Sequence, residues 1–222
     1  MRTKPVSAMD TEFSRVEQTR LADCLASSEC ERHAALEGIL HSDPDLMRIL
    51  RVLRDLGLPD WRLVSGAIYQ TVWNVLTNKP LGYGIKDFDV IYYDGGDLSW
   101  QAEDEVIKRV TTSLPAYAGR LEVRNQARVH LWFEDKFGSP YQALTCTDEA
   151  LTRYVAKTHA VGARLKHNNE IDIVAPFGLS SIFGMTIVPN AISVCEGSYK
   201  EKAGRMKELW PELVVTDWPA SQ

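Results

Sequence analysis

The chain has 222 residues, of which 45% are hydrophobic and 25% are charged, which is typical of an ordinary globular protein with one medium-sized domain and additions. Its net charge of −5 gives no general basic surface, so composition provides no strong signal for nucleic-acid binding and favours a small-molecule substrate. The four cysteines lack metal-site or disulfide spacing, and no apolar run is long enough for a membrane span or a secretory signal, so we expect reduced thiols and a cytoplasmic protein.

The first 41 residues are polar, with apolar residues at loosely helical spacing. They are predicted to form an N-terminal extension, either a docked helix or a weakly ordered leader. Ser42-Asp43-Pro44 then predicts a helix start, because a capping side chain precedes a proline at the first helical position. Gly57 is predicted to end this helix. Its core-facing stripe has helical spacing and consists of Leu46, Ile49, Leu50 and Leu53.

A short strand at 61–64 and a helix at 67–76 are predicted on either side of Ser65-Gly66. Such a turn leaves backbone N–H groups free at the helix start, where the helix dipole favours an anion. Ser65 and Gly66 are therefore candidates for holding a triphosphate. The alternative is an ordinary strand-to-helix turn in which glycine avoids a steric clash, since the pattern is short and lacks a Walker motif.

Residues 84–94 predict a buried strand, because β-branched and aromatic side chains dominate between glycines. Side chains alternate along a strand, so Asp87 and Asp89 share one face, while Phe88 and Val90 pack on the other. Neighbouring carboxylates repel each other unless a cation lies between them, and Mg²⁺ takes one or two carboxylates completed by substrate phosphates. The pair indicates a metal site for phosphoryl or nucleotidyl transfer. Two aspartates facing water at a strand end are the alternative.

A third carboxylate has two candidates. After a predicted helix at 100–113, residues 119–125 alternate like a strand beside the aspartate strand, and Glu122 joins the pair if it lies on the same face. A solvent-exposed Glu-Arg face is the alternative. Asp172, in a predicted hairpin, is the rival candidate.

The C-terminal half is predicted to begin with a strand at 128–133 and a helix at 147–157. A hairpin formed by 160–165 and 171–174 follows, and then a short helix at 181–185. The last helix is predicted to start with a capping box formed by Ser198 and Glu201. That last helix has an apolar stripe and a basic face. The basic side chains either steer phosphate or form a solvated surface, and they are Lys200, Lys202, Arg205 and Lys207.

Taken in order, the strand, Ser-Gly turn, helix, Asp-x-Asp strand, helix and acidic strand resemble the DNA polymerase beta superfamily of nucleotidyltransferases. More narrowly, the chain resembles a bacterial group called nucleotidyltransferase family protein. The resemblance spans about residues 42–218. It depends on segments 66–74, 84–89, 125–132, 175–179 and 189–190.

The resemblance implies an α+β fold, in which helices flank a mixed β-sheet nucleotidyltransferase core, with a C-terminal hairpin and helical extension. We predict an extension at 1–41, the core at 42–135, and a helix-hairpin-helix subdomain at 136–222. A Mg²⁺-dependent nucleotidyltransferase is implied, which uses an NTP and an unidentified acceptor, expected to be a small molecule. The implied catalytic and metal-binding residues are Asp87, Asp89 and Glu122, and the nucleotide-binding residues are Ser65, Gly66 and Lys86.

Two other functions suit the same residues. One is a catalytically inactive nucleotide-binding or interaction module that kept the fold. The other is metal-dependent phosphoester hydrolysis, in which water replaces the acceptor.

Overall fold

The computed structural model describes residues 15–23, 25–192 and 195–219, and a five-stranded sheet lies at its centre. The spatial order of the strands is β3-β2-β1-β4-β5; β2 and β3 run parallel, and the other neighbours run antiparallel. This mixed sheet confirms the predicted α+β class. The strands are β1 (Arg62–Val64), β2 (Phe88–Tyr92), β3 (Leu121–Asn125), β4 (Gly162–Leu165) and β5 (Ile171–Val174).

Helices surround this sheet. The α-helices are α1 (Arg15–Ala22), α2 (Glu29–Ser42), α3 (Pro44–Leu56), α4 (Gly66–Leu76), α5 (Trp100–Ser113), α6 (Phe133–Phe137), α7 (Thr147–Leu151), α8 (Ser180–Phe183) and α9 (Glu196–Leu209). Short 3₁₀ helices occur at Pro115–Arg120, Gln126–Leu131 and Lys157–His159, and a small parallel pair is formed by β6 (Thr186–Ile187) and β7 (Val214–Val215). Within the described ranges, none of the helices has both the length and the apolar character needed to cross a membrane.

Strands from two of the predicted regions share the central sheet, since β1–β3 come from 42–135 and the β4–β5 hairpin comes from 136–222. The N-terminal extension contributes α1 and most of α2, and α2 is docked through Leu36, Ile39 and Leu40, which are fully buried. Residues 1–14 of the predicted extension lie outside the described ranges. The three-region division itself stays a prediction.

Local sequence signals set the ends of α3 as predicted. The Asp43 side chain accepts hydrogen bonds from the backbone N–H groups of Asp45 and Leu46, at 3.0 and 3.1 Å. Gly57 ends the helix with a φ of 61°, a left-handed conformation that glycine adopts without steric cost. The predicted core stripe is buried at Leu46, Ile49, Leu50 and Leu53.

The strand predicted at 128–133 is wrong, because the chain forms a 3₁₀ helix at Gln126–Leu131. The Asn125 side chain accepts the N–H of Ala127 and so offers the backbone a local alternative to the strand ladder. Arg128 then turns inward and pairs with the buried carboxylate of Glu103. β3 is therefore not followed by a further strand, and it stays at the edge of the sheet.

Two helix boundaries also differ from prediction. The helix expected at 147–157 ends at Leu151, because the chain then turns to form an isolated bridge between Ala156 and Pro189. The capping box predicted at Ser198 and Glu201 is wrong, since α9 already begins at Glu196. A capping box does exist at the start of α2, where Ser28 and Glu31 exchange hydrogen bonds.

The alternation predicted for the aspartate strand is confirmed. Phe88 and Val90 are buried in the main core with Leu63 of β1. The opposite face carries Asp89, together with a smaller apolar cluster that includes Val64 and Ile91. The sheet therefore directs one face into the core and the other toward a polar cavity.

Arg62 links α7 and β5 to this second face of the sheet through ion pairs. Its side chain is 3% exposed and pairs with Asp148 at 2.5 Å and Asp172 at 3.1 Å. Arg62→Ala removes the packing of a buried side chain and its hydrogen bonds to two carboxylates, although Asp172 keeps its ion pair with Arg164. The change is expected to cost about 2–4 kcal/mol, or about 5–12 °C in melting temperature. Lys108→Ala, which removes an exposed pair with Asp104, should cost less than about 1 kcal/mol in the same calorimetric measurement. Equal effects of the two changes would contradict this account.

Candidate active site

Three carboxylates meet on the polar face of the sheet. Asp87 immediately precedes β2, Asp89 lies within it, and the parallel register places Glu122 of β3 beside Asp89. All three line one cavity of about 380 Å³, together with Ser65 and Gly66. The arrangement brings the predicted catalytic residues together with the predicted phosphate-binding turn.

The environment of Asp89 disfavours its negative charge. Burial, and then the charges of Asp87 and Glu122, raise the pKa of Asp89 from 3.8 to about 7, while Lys202 and Arg124 oppose the rise. Burial and the two neighbouring carboxylates favour the neutral acid as long as no cation is bound. Shifts of this size are found at functional sites, where crowded carboxylates are kept for a ligand.

The Ser65-Gly66 turn joins β1 to α4 beside these acids. Ser65 has a φ of 59° and a ψ of −122°, a region that side chains rarely adopt and that costs about 1–3 kcal/mol. The turn is held by the Ser65 N–H, which donates to the carbonyl oxygen of Val161 at 2.8 Å. The Ser65 side chain makes no capping hydrogen bond with the described part of the chain. Its hydroxyl and the first N–H groups of α4 are thus available to a ligand.

Helix α9 forms the basic wall of the cavity. Lys202 and Arg205 line it, together with Glu201. Tyr199, Ala203 and Met206 are the buried residues of the helix and fix its orientation, and Met206 also borders the cavity. Two of the four basic residues predicted as one face therefore reach the site. The other two are engaged elsewhere: Lys200 pairs with Glu196, and Lys207 donates to the carbonyl oxygens of Pro211 and Leu213.

Two buried polar side chains in the cavity lack partners. One end of the Gln70 amide and Nε2 of His159 have no hydrogen-bond partner among the described residues, although these side chains are only 3% and 2% exposed. Buried polar atoms without partners are costly and require an explanation. Both residues line the cavity, so their unpaired atoms are candidates for hydrogen bonds to a polar ligand.

His159 is held neutral and in a fixed orientation. Burial, followed by the charges of Lys202 and Arg205, lowers its pKa from 6.5 to about 3. Its ring stacks on Tyr69 with centroids 4.7 Å apart and planes 14° apart. Sequence reasoning assigned neither residue to the site. Gln70 lies in segment 66–74, on which the resemblance depends, but it was given no role there, and His159 lies outside all of those segments.

The structure separates the two candidates for the third carboxylate. Asp172 lies on β5, three strands from β2 in the sheet, and pairs with Arg62 and Arg164. Burial alone would raise the pKa of Asp172, but the charges of these two arginines lower it overall. The carboxylate of Asp172 therefore forms structural ion pairs, whereas Glu122 borders the cavity. Lys86, the remaining predicted site residue, also lines the cavity and is exposed.

The donor set suits a divalent cation completed by substrate. Mg²⁺ is commonly held by one or two carboxylates and by phosphate oxygens rather than by an all-protein cage. Within the described ranges, no group of three or more His, Cys, Asp or Glu side chains is arranged to hold a metal ion by itself. Asp87 and Asp89 therefore fit a metal site that a nucleoside triphosphate would complete, and Glu122 lies next to them.

Ser65 offers a test of how the turn contributes to binding. Ser65→Gly relieves the backbone strain and should raise the melting temperature by about 2–4 °C, equivalent to about 1 kcal/mol. Ser65→Ala keeps the strain and should leave the melting temperature unchanged. Both variants lose the hydroxyl, so both should weaken NTP binding about tenfold, the value of one hydrogen bond to a charged group. Calorimetric melting and NTP titration measure the two effects separately, and stabilisation by Ser65→Ala would contradict the strain argument.

The site combines a Ser-Gly turn at a helix start with a carboxylate pair on the adjacent strand of a mixed sheet. This combination defines the nucleotidyltransferase class of fold. A family model described as Nucleotidyltransferase matches residues 51–215, and the chain belongs to this family. An NMR structure described as a CCA-adding enzyme head domain is similar, with 26% sequence identity and a TM-score of 0.67 over 82% of this chain and 95% of that chain. No curated protein matches the chain. The predicted family and fold are confirmed, whereas a bacterial origin stays a prediction.

Proposed function

We propose that this protein is a Mg²⁺-dependent nucleotidyltransferase that moves a nucleoside monophosphate from an NTP to an acceptor hydroxyl and releases pyrophosphate. The observation that carries the proposal is the shared cavity, in which Asp87, Asp89 and Glu122 face the Ser65-Gly66 turn. Family membership supports a nucleotide substrate. We also propose a cytoplasmic location, which the free thiols of Cys30, Cys146 and Cys195 suit.

The triphosphate would lie between the turn and α9. Ser65 and the first N–H groups of α4 donate hydrogen bonds to phosphate oxygens, and the helix dipole favours their charge. Lys202 and Arg205, on the opposite wall, compensate further negative charge. Gln70 and His159 supply hydrogen bonds to the same ligand, because their buried polar atoms lack protein partners.

Asp87 and Asp89 would hold the metal ion, which, when bound, neutralises charge on the transferred phosphoryl group. Glu122 accepts the proton of the acceptor hydroxyl. The acceptor oxygen forms a bond to the α-phosphorus, the bond from the α-phosphorus to the bridging oxygen breaks, and its electron pair leaves with pyrophosphate. Glu122 lies beside Asp89 in the register of β2 and β3, which suits this role.

A pyrophosphate-release assay tests the proposal. The full chain is incubated with Mg²⁺, each of the four NTPs in turn, and a panel of hydroxyl-bearing acceptors that includes sugars, aromatic alcohols, proteins and RNA. We expect pyrophosphate release that depends on one class of acceptor and is lost in Asp87→Ala. NTP binding without release across the panel would favour the inactive-module alternative. Release with water alone would favour phosphoester hydrolysis.

A further inference from the structure

A second pocket, of about 230 Å³, opens from the same carboxylates on the other side of the site. Asp89 and Glu122 line both pockets, whereas Asp87, Ser65 and Gly66 line only the first. The floor of the second pocket is the polar face of β2 and β3. Its position makes it a continuation of the reaction centre. A further pocket, lined by Arg153 and Tyr154 and also by Ser65 and Lys202, lies between it and the basic wall on α9.

Aromatic rings form the walls of this second pocket. Trp132, Phe133, Tyr141 and Tyr154 line it, and all four are partly exposed. The rings of Phe133 and Tyr141 pack with centroids 4.5 Å apart, and Trp132 lies 6.2 Å from Phe133. Such mutual packing holds the rings in place before a ligand binds, and aromatic walls favour an aromatic partner.

Two arginines complete the lining. Arg124 and Arg153 both border the pocket, and Arg153 lies over the ring of Tyr141 at 5.8 Å. Arg124 donates a hydrogen bond to the carbonyl oxygen of Val123, and neither guanidinium pairs with a carboxylate of the described residues. Arg124 acts on Asp89 only through its charge, without a direct ion pair. The donors of both guanidinium groups therefore remain able to bind an anionic group of a ligand beside the rings.

The geometry of in-line transfer indicates which of the two substrates, the NTP or the acceptor, binds in this pocket. The attacking oxygen and the leaving pyrophosphate lie on opposite sides of the α-phosphorus. If the triphosphate occupies the Ser65-Gly66 and α9 side, the acceptor must approach from the side bordered by Asp89 and Glu122 but not by Asp87. The second pocket is on that side, next to the carboxylate that accepts the proton.

We infer that the second pocket binds the acceptor, and that the acceptor is a small molecule with a planar aromatic ring, a hydroxyl group and a negatively charged substituent. This inference rests on the proposed nucleotidyl transfer. A cavity of about 150 Å³ is enough to bind benzene, so about 230 Å³ is enough to hold one substituted ring. The acceptor hydroxyl loses its proton to Glu122 and forms the new bond to the α-phosphorus, as pyrophosphate leaves.

Binding of a probe, without NTP or metal, tests the inference independently of catalysis. The probe is 3-hydroxybenzoate, compared by calorimetric titration with neutral 3-hydroxybenzyl alcohol and with non-planar 3-hydroxycyclohexanecarboxylate. We expect a Kd below about 1 mM for 3-hydroxybenzoate and at least tenfold weaker binding of the other two. Absent binding of all three, or equal binding, would overturn the inference.

Variants locate the bound probe. Trp132→Ala should weaken 3-hydroxybenzoate binding about tenfold, because the ring contact and its buried area are lost. Arg124→Gln should remove the preference for the anionic probe over the neutral one. Trp100→Ala is the matched control, since this tryptophan lies 63% exposed on α5, and it should leave binding unchanged. In indole N–H NMR spectra, the probe should shift the Trp132 signal, which is assigned by its absence in Trp132→Phe.

Further measurements separate failure of this inference from failure of the proposed function. If a non-hydrolysable ATP analogue with Mg²⁺ shifts the Trp132 signal and displaces the probe, the pocket holds the nucleobase and the acceptor assignment is overturned. Transfer to an acceptor without a ring, at a rate unchanged by Trp132→Ala, overturns the inference and leaves the function standing. Probe binding at Trp132 without pyrophosphate release from any acceptor overturns the function, and with it the acceptor role.

Discussion

Asp89→Asn is expected to lower kcat/KM for nucleotidyl transfer by at least about 10³-fold while raising the melting temperature of the protein. The loss of activity follows because the amide cannot supply the charge that binds the cation, and such a cation contributes several kcal/mol of transition-state stabilisation at about 1.4 kcal/mol per tenfold in rate.

The gain in stability has a separate cause. Because the pKa of Asp89 rises from 3.8 to about 7 on folding, the ionised carboxylate opposes folding above the folded value, and this penalty disappears as the pH falls toward 3.8. This rise in the pKa corresponds to at most about 4 kcal/mol. We expect a neutral asparagine to recover about half of that, or about 4–8 °C at pH 8 in the presence of a chelator.

Asp55→Asn is the matched control, because Asp55 is an exposed aspartate on α3 that pairs with Arg54. It should leave both activity and melting temperature within error. A variant Asp89→Asn that keeps its activity would remove the proposed metal site. Loss of activity together with a lower melting temperature would show instead that the aspartate supports the fold.

Local patterns were sufficient for the parts of the site that are contiguous in sequence. The Ser65-Gly66 turn and the Asp87–Asp89 pair depend only on the period of a strand and on the start of a helix. The choice between Glu122 and Asp172 was not local. It required the order of the strands and the register that pairs Asp89 with Glu122, and neither is encoded in a single segment.

Tertiary contacts bring the remaining site residues together, and no short sequence motif predicts these contacts. Lys202 and Lys200 are both exposed residues on α9, yet one faces the cavity and the other pairs with Glu196. His159 reaches the cavity from a 3₁₀ helix of three residues, and stacking on Tyr69 holds it there. Helical periodicity places residues on a face, but it does not say what that face meets.

The mistaken strand at 128–133 shows a related limit. Alternation of apolar and polar residues favoured a strand, but the side chains of this segment have stronger partners elsewhere. Arg128 donates to the carbonyl oxygen of Leu98 at 2.8 Å and pairs with Glu103. Buried hydrogen bonds and ion pairs of this kind override the weak β-propensity of a short run.

The largest structural effect is expected from Gly84→Ala, three residues before Asp87. Gly84 has a φ of 72°, and an added Cβ would lie 2.3 Å from Cη2 of Trp210. The left-handed backbone and the overlap together are expected to cost about 3–5 kcal/mol, or about 6–15 °C in melting temperature. Activity should also fall, because the same displacement moves the loop that leads to the catalytic aspartates.

The Trp210 side chain cannot move away from the added methyl group, because other residues surround it on several sides. It is fully buried, its Nε1–H donates to Asn74 at 3.2 Å, and its ring packs edge-on against Trp73 and Tyr83 with centroids 5.4 and 5.6 Å away. It directly follows α9, which carries the basic wall. A clash here would therefore separate the carboxylates from the cations that face them.

Gly82→Ala distinguishes this clash from backbone strain alone. Gly82 has a φ of 75°, close to that of Gly84, but an added Cβ would meet no atom within 4 Å among the described residues. It should cost only about 1 kcal/mol, or about 2–4 °C, with activity retained. Melting curves and pyrophosphate release on the two variants provide the comparison. Equal losses would mean that the glycines matter only for backbone conformation, and that Trp210 does not couple the aspartate loop to α9.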